Sequence, residues 1–242
     1  MTLATADIQK IAEDIWHAEQ TGEWTEAPSN RFPGITVDDG YAIGTAVRDL
    51  KIAAGRSVKG HKIGLTSKAM RDMTGATEPD YGYIYDDWFV LEGEAIQRSR
   101  LNHPMIEVEL AFVMKEELKG PSVNVADVIR ATDFVLPALE IVDSRYKDNG
   151  PNMLVDSIAD TAWCGGVVLA GNPVRLNDVD IRRMGASLSV NGENHRDRRR
   201  RGGDVESYQC GCLACQYASQ IWHRYAARRC NFIRFVCESR SF

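Results

Sequence analysis

The sequence predicts an α+β fold in which a helical N-terminal segment leads into a mainly β domain. Over residues 6–20 and again over 37–54 apolar side chains recur at the spacing of a helix face, and from Val58 onward short apolar runs alternate with Gly, Pro and Asp clusters. A chain of 242 residues, 44% hydrophobic and 26% charged, has ordinary globular composition and room for one or two cored domains. We divide it into a helical segment (1–56), a β-rich domain (57–193) and an atypical tail (194–242).

Two amphipathic helices are predicted in the first segment. The first covers about residues 6–20, because apolar residues there follow a single stripe: Ile8, Ile11, Ala12, Ile15 and Trp16. The second begins after Thr36, which is followed by Val37-Asp38-Asp39 as at a capped helix start. Gly55 is the residue type expected just after the end of that helix.

Five stretches are predicted to be strands, and a hairpin turn follows the last of them. Asn191-Gly192 is the pair that a two-residue hairpin turn favours. The strand candidates are Val58–Leu65, Ile106–Met114, Val135–Val142, Gly166–Leu169 and Ala186–Val190.

Two glutamates on one predicted strand are the first candidates for chemistry. Alternate residues of a strand share a face, so Glu107 and Glu109 point the same way, followed on that face by Ala111 and Val113. Burying two like charges costs free energy unless a cation or hydrogen-bond donors compensate. A hard divalent ion is one answer; a solvated face of an edge strand is the alternative.

A third acid, Glu140, interrupts another apolar strand. Three carboxylates with waters and a chelating substrate suit the all-oxygen shell of Mg²⁺ or Mn²⁺, whereas zinc prefers His or Cys. The alternative is that Glu140 pairs with Arg145 or Lys147. Spacing alone leaves both interpretations open.

Two further side chains have a chemical and an ordinary interpretation. Lys62 lies between Gly60 and Gly64, where it can bind a substrate carboxylate, but taken alone it fits a solvated surface lysine better. The segment 78–82, Glu-Pro-Asp-Tyr-Gly, is predicted to be a turn that begins at Asp80. The alternative is that Asp80 acts as an acid/base group. We assign His61 no role beyond a structural one.

The tail differs sharply from the rest of the chain. Residues 1–193 carry 19 basic and 30 acidic residues, whereas the last 49 carry 10 arginines and 4 acids, together with five of the six cysteines. The run Arg198–Arg201 is a weak nucleic-acid signal beside so acidic a body, and Cys210, Cys212 and Cys215 lack a second ligand pair for zinc. We expect no nucleic-acid partner.

Six ordered blocks resemble the 2-keto-4-pentenoate hydratase branch of the fumarylacetoacetate hydrolase superfamily, and the resemblance extends to about Glu193. It implies a fumarylacetoacetate-hydrolase-like α+β fold with a catalytic Mg²⁺ or Mn²⁺. The blocks are GHKIGLTSKAM (60–70), EPDYG (78–82), PMIEVELAFV (104–113), GPSVNVADV (120–128), ATDFVLPALEIVDSRY (131–146) and DSIAD (156–160).

The resemblance also implies roles for individual residues. The family's metal carboxylates match Glu107, Glu109 and Glu140, its catalytic positions match Lys62 and Asp80, and Ser67 and Asp160 are expected to shape the substrate pocket.

The implied activity is addition of water to a 2-oxo-alkenoic acid such as 2-oxo-hept-4-ene-1,7-dioate, a step of aromatic-compound catabolism. A 4-oxalocrotonate-type decarboxylase on the same scaffold is the near alternative. A non-catalytic or inactive homologue is the third.

The tail departs from this family, and a one-base frameshift near codons 193–195 explains the departure. Residues Glu206 to Cys215 can be encoded so that the next frame reads Asn-Pro-Ile-Asn-Ala-Val-Ala-Trp-Leu, a segment typical of the family. The same offset recovers two more family blocks. We therefore expect the family's closing strands to be missing and sheet edges to be left uncovered; sequencing across codons 185–215 tests the interpretation.

The cellular location and the assembly of the protein are predicted from two things: the targeting and membrane signals that the sequence lacks, and its resemblance to the family. The N-terminus has no basic region followed by an apolar one, and no apolar run reaches the length of a membrane span. We expect a cytoplasmic protein without a membrane partner. The resemblance implies a homo-oligomer that acts on a small 2-oxo acid, with a related decarboxylase as a candidate partner.

Overall fold

The structure is a computed structural model that describes residues 2–66, 68–118, 123–147, 154–181, 184–186, 188–195 and 233–237. Ser67 and most of the tail lie outside the described residues. The helices are α1 (Thr5–Thr21), α2 (Pro28–Arg31), α3 (Val37–Ala53), α4 (Lys68–Thr74), α5 (Val125–Ala131) and α6 (Leu154–Ala159). The strands are β1 (Val58–Gly64), β2 (Asp80–Tyr85), β3 (Phe89–Val90), β4 (Met105–Met114), β5 (Thr132–Val142), β6 (Cys164–Leu169), β7 (Leu188–Val190), β8 (Glu193–His195) and β9 (Ile233–Cys237).

The two predicted N-terminal helices, α1 and α3, are confirmed. The hydroxyl of Thr36 accepts a hydrogen bond from the Asp39 backbone N–H, and the Asp39 carboxylate accepts one from the Thr36 N–H, at 3.3 and 3.0 Å. This reciprocal capping satisfies two donors at the start of α3. Gly55 follows with φ of 91°, the left-handed conformation expected past a helix end.

The five predicted strands are present with small shifts of their ends, as β1, β4, β5, β6 and β7. The predicted hairpin is also confirmed, because β7 pairs antiparallel with β8 across Asn191 and Gly192. Both turn residues have positive φ, 53° and 82°, as the favoured two-residue hairpin turn requires.

The predicted turn at Glu78–Gly82 is wrong, because Asp80 is the first residue of β2. Its propensity for turns is overridden by pairing of β2 with β1 in the sheet. The short strands β3, β8 and β9 and the short helices α2, α4, α5 and α6 also escaped the sequence pattern, since two to seven residues carry too little periodicity.

Among the described residues, seven strands form one sheet in the order β2-β1-β9-β4-β5-β6-β3. Strand β3 is parallel to β6, and β9 runs antiparallel to β4, with Glu109 opposite Cys237 and Phe112 opposite Arg234. The expectation that the tail leaves this sheet edge uncovered is therefore wrong for β4, whose backbone is paired by residues 233–237.

The described residues form two compact units, and the first comprises those of 1–62, 80–106 and 140–168. Its core joins the inner faces of α1 and α3 to α6. Tyr146, fully buried, donates its hydroxyl to the Asp156 carbonyl at 3.1 Å. The buried members of this core are Ile11, Ala12, Ile15, Ala27, Ile35, Ile43, Val47, Tyr146, Val155 and Ala159.

The second unit contains the other described residues and has a separate apolar core. Side chains of β4 and β5 meet the inner face of α5 there. The buried members are Ile63, Phe112, Leu118, Val128, Ala131 and Val135.

Within the described part of the chain, every helix falls short of the length and apolar character that crossing a bilayer requires.

Candidate metal centre and active site

Three glutamates on the neighbouring strands β4 and β5 converge. Glu107, Glu109 and Glu140 each offer one carboxylate oxygen, and these oxygens all lie within 4.8 Å of one another. Glu109 is only 6% exposed and Glu107 is half-buried, so the alternative of a solvated edge face is wrong for Glu109. Glu140 is fully buried. Carboxylate oxygens at this spacing match the hard-oxygen environment of a divalent cation.

The buried negative charge of this cluster is partly balanced by a lysine. The Lys62 ammonium on β1 lies 3.0 Å from Glu140 Oε1, and its side chain is 8% exposed. The surface-lysine interpretation of Lys62 is therefore wrong. The alternative interpretation of Glu140 expected an ion pair with Arg145 or Lys147. Glu140 instead pairs with Lys62, and Arg145 pairs with Asp160.

Asp80 lies at the start of β2 with 4% of its surface exposed. The hydroxyl of Ser157 on α6 points at its Oδ2 across 3.5 Å. Two residues further along β2, the backbone of Gly82 passes so close to Thr161 that a Cβ there would stand 1.9 Å from the Thr161 carbonyl oxygen. The position of Asp80 therefore depends on a tight contact of β2 with the residues after α6.

Asp160 is buried beside Arg145, and no described contact joins it to the three glutamates. Its Oδ2 accepts a hydrogen bond from the Arg145 backbone N–H at 3.0 Å, and its Oδ1 lies 3.3 Å from the Arg145 guanidinium. Burial raises the pKa of Asp160 to about 7, against the opposing effect of Arg145. Ser67, the other residue expected in the pocket, lies outside the described residues.

A second buried charge cluster was missed by the sequence reasoning. Lys51 is 1% exposed, forms an ion pair with Glu19, and places its ammonium 4.2 Å from the ring centroids of both Tyr85 and Trp88. Burial lowers the pKa of Lys51 to about 8. Arg145 reaches the same glutamate at 3.6 Å, so this cluster adjoins the Arg145–Asp160 pair.

Cys164, at the start of β6, was also missed. It is completely buried, and its carbonyl accepts a hydrogen bond from Arg145 at 2.9 Å. Burial, and then the charge of Glu140, raise the pKa of its thiol. A thiol in these surroundings stays protonated and packs as a small apolar side chain; nothing in its sequence context distinguishes it.

The arrangement supplies three chemical capacities. The carboxylates can bind a divalent cation, Lys62 places a positive charge beside them, and Asp80 is a buried carboxyl group able to hold or release a proton. Together these suit reactions in which negative charge develops on an oxygen while a proton moves at a neighbouring carbon.

The chain has close relatives among characterised proteins. It is 43% identical over 187 residues to 2-oxo-hept-4-ene-1,7-dioate hydratase of Escherichia coli, covering 75% of this chain and 70% of the relative. It is 37% identical over 185 residues to 2-keto-4-pentenoate hydratase of Paraburkholderia xenovorans strain LB400, covering 76% and 68%. No family model matches the chain.

The structure of this chain is also similar to solved structures. The structure matches 4-oxalocrotonate decarboxylase from Pseudomonas putida G7, complexed with magnesium and adipate, with a TM-score of 0.85 and 30% identity over 97% of this chain and 88% of that one. A Yersinia pestis CO92 protein assigned to the fumarylacetoacetate hydrolase family shares the fold, with a TM-score of 0.50 and 15% identity over 74% of this chain and 80% of the other. The chain therefore belongs to the 2-keto-4-pentenoate hydratase family, and it has the fold of a fumarylacetoacetate hydrolase family protein.

Proposed function

We propose that this protein is a divalent-metal-dependent hydratase of aromatic-compound catabolism. It would add water to a 2-oxo-alkenoic (2-hydroxy-dienoic) acid such as 2-oxo-hept-4-ene-1,7-dioate and release a 4-hydroxy-2-oxo acid. The observation that carries the proposal is the convergence of the carboxylates of Glu107, Glu109 and Glu140 within 4.8 Å, in a chain whose relatives are hydratases of this type.

The donor set suits Mg²⁺ or Mn²⁺. It consists of carboxylate oxygens, two of them on buried side chains, and it includes neither a thiolate nor an imidazole that would favour zinc. Glu107, Glu109 and Glu140 would hold the ion. When bound, it supplies positive charge that stabilises the negative charge developing on the 2-oxo oxygen of the substrate.

The other chemical roles fall to side chains of the protein. Lys62 offsets the charge of Glu140 and provides a cation for the substrate carboxylate. Asp80 moves the proton in the tautomerisation that brings the double bond into conjugation with the 2-oxo group. Water then adds its hydroxyl at C4 and its proton at C3, with Asp80 again as the acid/base group. Asp160 and Ser67 shape the pocket.

A 4-oxalocrotonate-type decarboxylase is the second candidate, favoured by the structural match to the Pseudomonas putida G7 enzyme. The same set of residues can stabilise negative charge whether it forms by loss of a proton or by loss of CO₂. The products separate the two: decarboxylation releases CO₂, and hydration releases none.

The proposal extends to the setting of the reaction. We place the protein in the cytoplasm as a homo-oligomer, with a complex with a related decarboxylase as a further assembly. The likeness of this chain to both a hydratase and a decarboxylase is what suggests the mixed complex.

Turnover by the purified chain tests the function. The protein is freed of metal with EDTA, reloaded with Mg²⁺ or Mn²⁺, and given a 2-hydroxy-dienoate; NMR then identifies the product and a CO₂ assay accompanies it. We expect a 4-hydroxy-2-oxo acid with the metal and loss of activity in Glu140→Ala, with Glu117→Ala as the exposed, matched control. Activity that survives both EDTA and Glu140→Ala would contradict the proposal.

A further inference from the structure

Three consecutive residues after α6 have a strained backbone. Thr161, Ala162 and Trp163 all lie in the left-handed region, with φ of 56°, 53° and 56°. Residues other than glycine avoid this region, and a run of them persists only where the surroundings enforce it, often beside functional sites. We call Thr161–Trp163 the left-handed turn. It joins Asp160 to β6, which begins at Cys164.

One side of the left-handed turn is tied to the residues that continue β5 beyond Glu140. The Asp143 N–H donates to the Trp163 carbonyl at 2.7 Å. The Arg145 guanidinium donates to the carbonyls of Asp143 and Cys164 at 2.7 and 2.9 Å. Asp160, immediately before the turn, accepts from the Arg145 N–H. With 3% of Arg145 and 2% of Asp160 exposed, these bonds are shielded from water.

The other side of the left-handed turn lies against β2. The Tyr83 N–H donates to the Thr161 hydroxyl at 3.2 Å, and the Thr161 carbonyl occupies the space where any Cβ on Gly82 would have to be. From α6, which leads into the turn, Ser157 reaches Asp80. The strand that carries Asp80 is thus held at two points by one continuous segment, 157–161.

We propose that Asp160, Arg145 and Gly82 are positioning residues that hold the left-handed turn against β2 and thereby fix the place of Asp80 relative to Glu140. The inference rests on the proposed hydratase function, in which Asp80 moves the proton. The inference also says how Asp160 shapes the pocket. The Asp160 carboxylate binds Arg145 and holds the left-handed turn in place, without touching the substrate.

Gly82→Ala tests the close contact directly, and Gly185→Ala is its control. A Cβ on Gly82 collides with the backbone of Thr161, whereas a Cβ on Gly185 has no atom within 4 Å. We expect kcat of Gly82→Ala to fall about 100-fold, the loss that a displacement of about 1 Å produces. KM and the Mg²⁺ affinity measured by calorimetry stay within about twofold, and Gly185→Ala behaves as the unaltered protein. Unchanged kcat in a folded Gly82→Ala protein overturns the inference.

A pair of substitutions at Asp160 separates positioning from substrate binding. In Asp160→Asn the amide oxygen still accepts from the Arg145 N–H, whereas Asp160→Ala loses that bond. We expect kcat to fall in the alanine variant and to recover most of its value in the asparagine variant, with KM unchanged in both. A raised KM in both variants means that Asp160 binds the substrate, and it overturns the assignment.

A crystal structure of Gly82→Ala tests the inference without an activity measurement. We expect the Thr161 carbonyl to be displaced and Asp80 to move away from Ser157, while Lys62 remains 3.0 Å from Glu140. If Asp80 keeps its place, the inference is wrong even where kcat has fallen. An unaltered protein that gives no product with its metal refutes the proposed function instead, so the two failures are distinguishable.

Discussion

Replacing Glu109 by glutamine should raise the melting temperature of the metal-free protein and remove its response to Mg²⁺. Two unit charges 4.8 Å apart repel by about 3.5 kcal/mol at an effective dielectric constant of 20. Glutamine has nearly the shape of glutamate without its charge. After allowance for the positive charge of Lys62, we expect relief of about 2 kcal/mol, which corresponds to roughly 4–8 °C for a chain of this size.

The unaltered protein should respond in the opposite way to the ion. A ligand that binds only the folded state contributes about 2.7 kcal/mol at 100 times its dissociation constant, hence roughly 5–10 °C. The assay is thermal unfolding followed by circular dichroism, in EDTA and in a Mg²⁺ series, for both proteins. The melting curves of the two proteins should therefore exchange order as Mg²⁺ is added.

The matched control is Glu117→Gln, because Glu117 lies just after β4 and is exposed to solvent. It removes the same charge without touching the three converging carboxylates, so its curve should follow the unaltered protein in both conditions. The reasoning is refuted if Mg²⁺ leaves the unaltered melting temperature unchanged. It is refuted equally if Glu109→Gln is less stable than the unaltered protein in EDTA and still gains stability from Mg²⁺.

Two further predictions concern the first unit. Burial raises the folded-state pKa of Asp160 from 3.8 to about 7, so the stability this group contributes is full below about pH 4 and is lost as the pH rises to about 7. Urea unfolding measured from pH 4 to pH 7 should show the free energy of unfolding of the unaltered protein falling relative to that of Asp160→Asn. If the difference between the two free energies stays constant over this range, the raised pKa is wrong. Thr36→Ala removes the capping hydroxyl of α3 and should cost about 1 kcal/mol, seen as a melting temperature lower by roughly 2–4 °C. An unchanged melting temperature would mean that the cap contributes nothing.

Local signals were sufficient for the long elements, and they singled out three carboxylates as candidates for a metal site. The stripe of α1 and the capping residues of α3 are read from spacing, because a helix face repeats within one segment. The alternation along β4 likewise places Glu107 and Glu109 on one face before any tertiary contact is known. The outlying Glu140 could be suspected, since a single acid interrupts an apolar strand.

Other features had no local signal. Asp80 has turn-forming neighbours, yet pairing with β1 makes it the start of a strand. Lys62 has the sequence context of a surface lysine, yet the structure buries its side chain with the ammonium 3.0 Å from Glu140. The positive φ values of Thr161, Ala162 and Trp163 contradict their own preferences and arise from hydrogen bonds to residues 83 and 143.

The amino-acid sequence by itself determined the class of fold, the two N-terminal helices, the hairpin at Asn191-Gly192 and the three candidate metal carboxylates. These depend on periodicity and on residue type, which act over a few neighbouring positions. The tertiary structure alone decided that Lys62 pairs with Glu140, that Arg145 holds Asp160, and that Gly82 admits the Thr161 carbonyl. Those contacts join residues 15 to 79 positions apart, and their energies come from burial and charge pairing that exist only once the chain has folded.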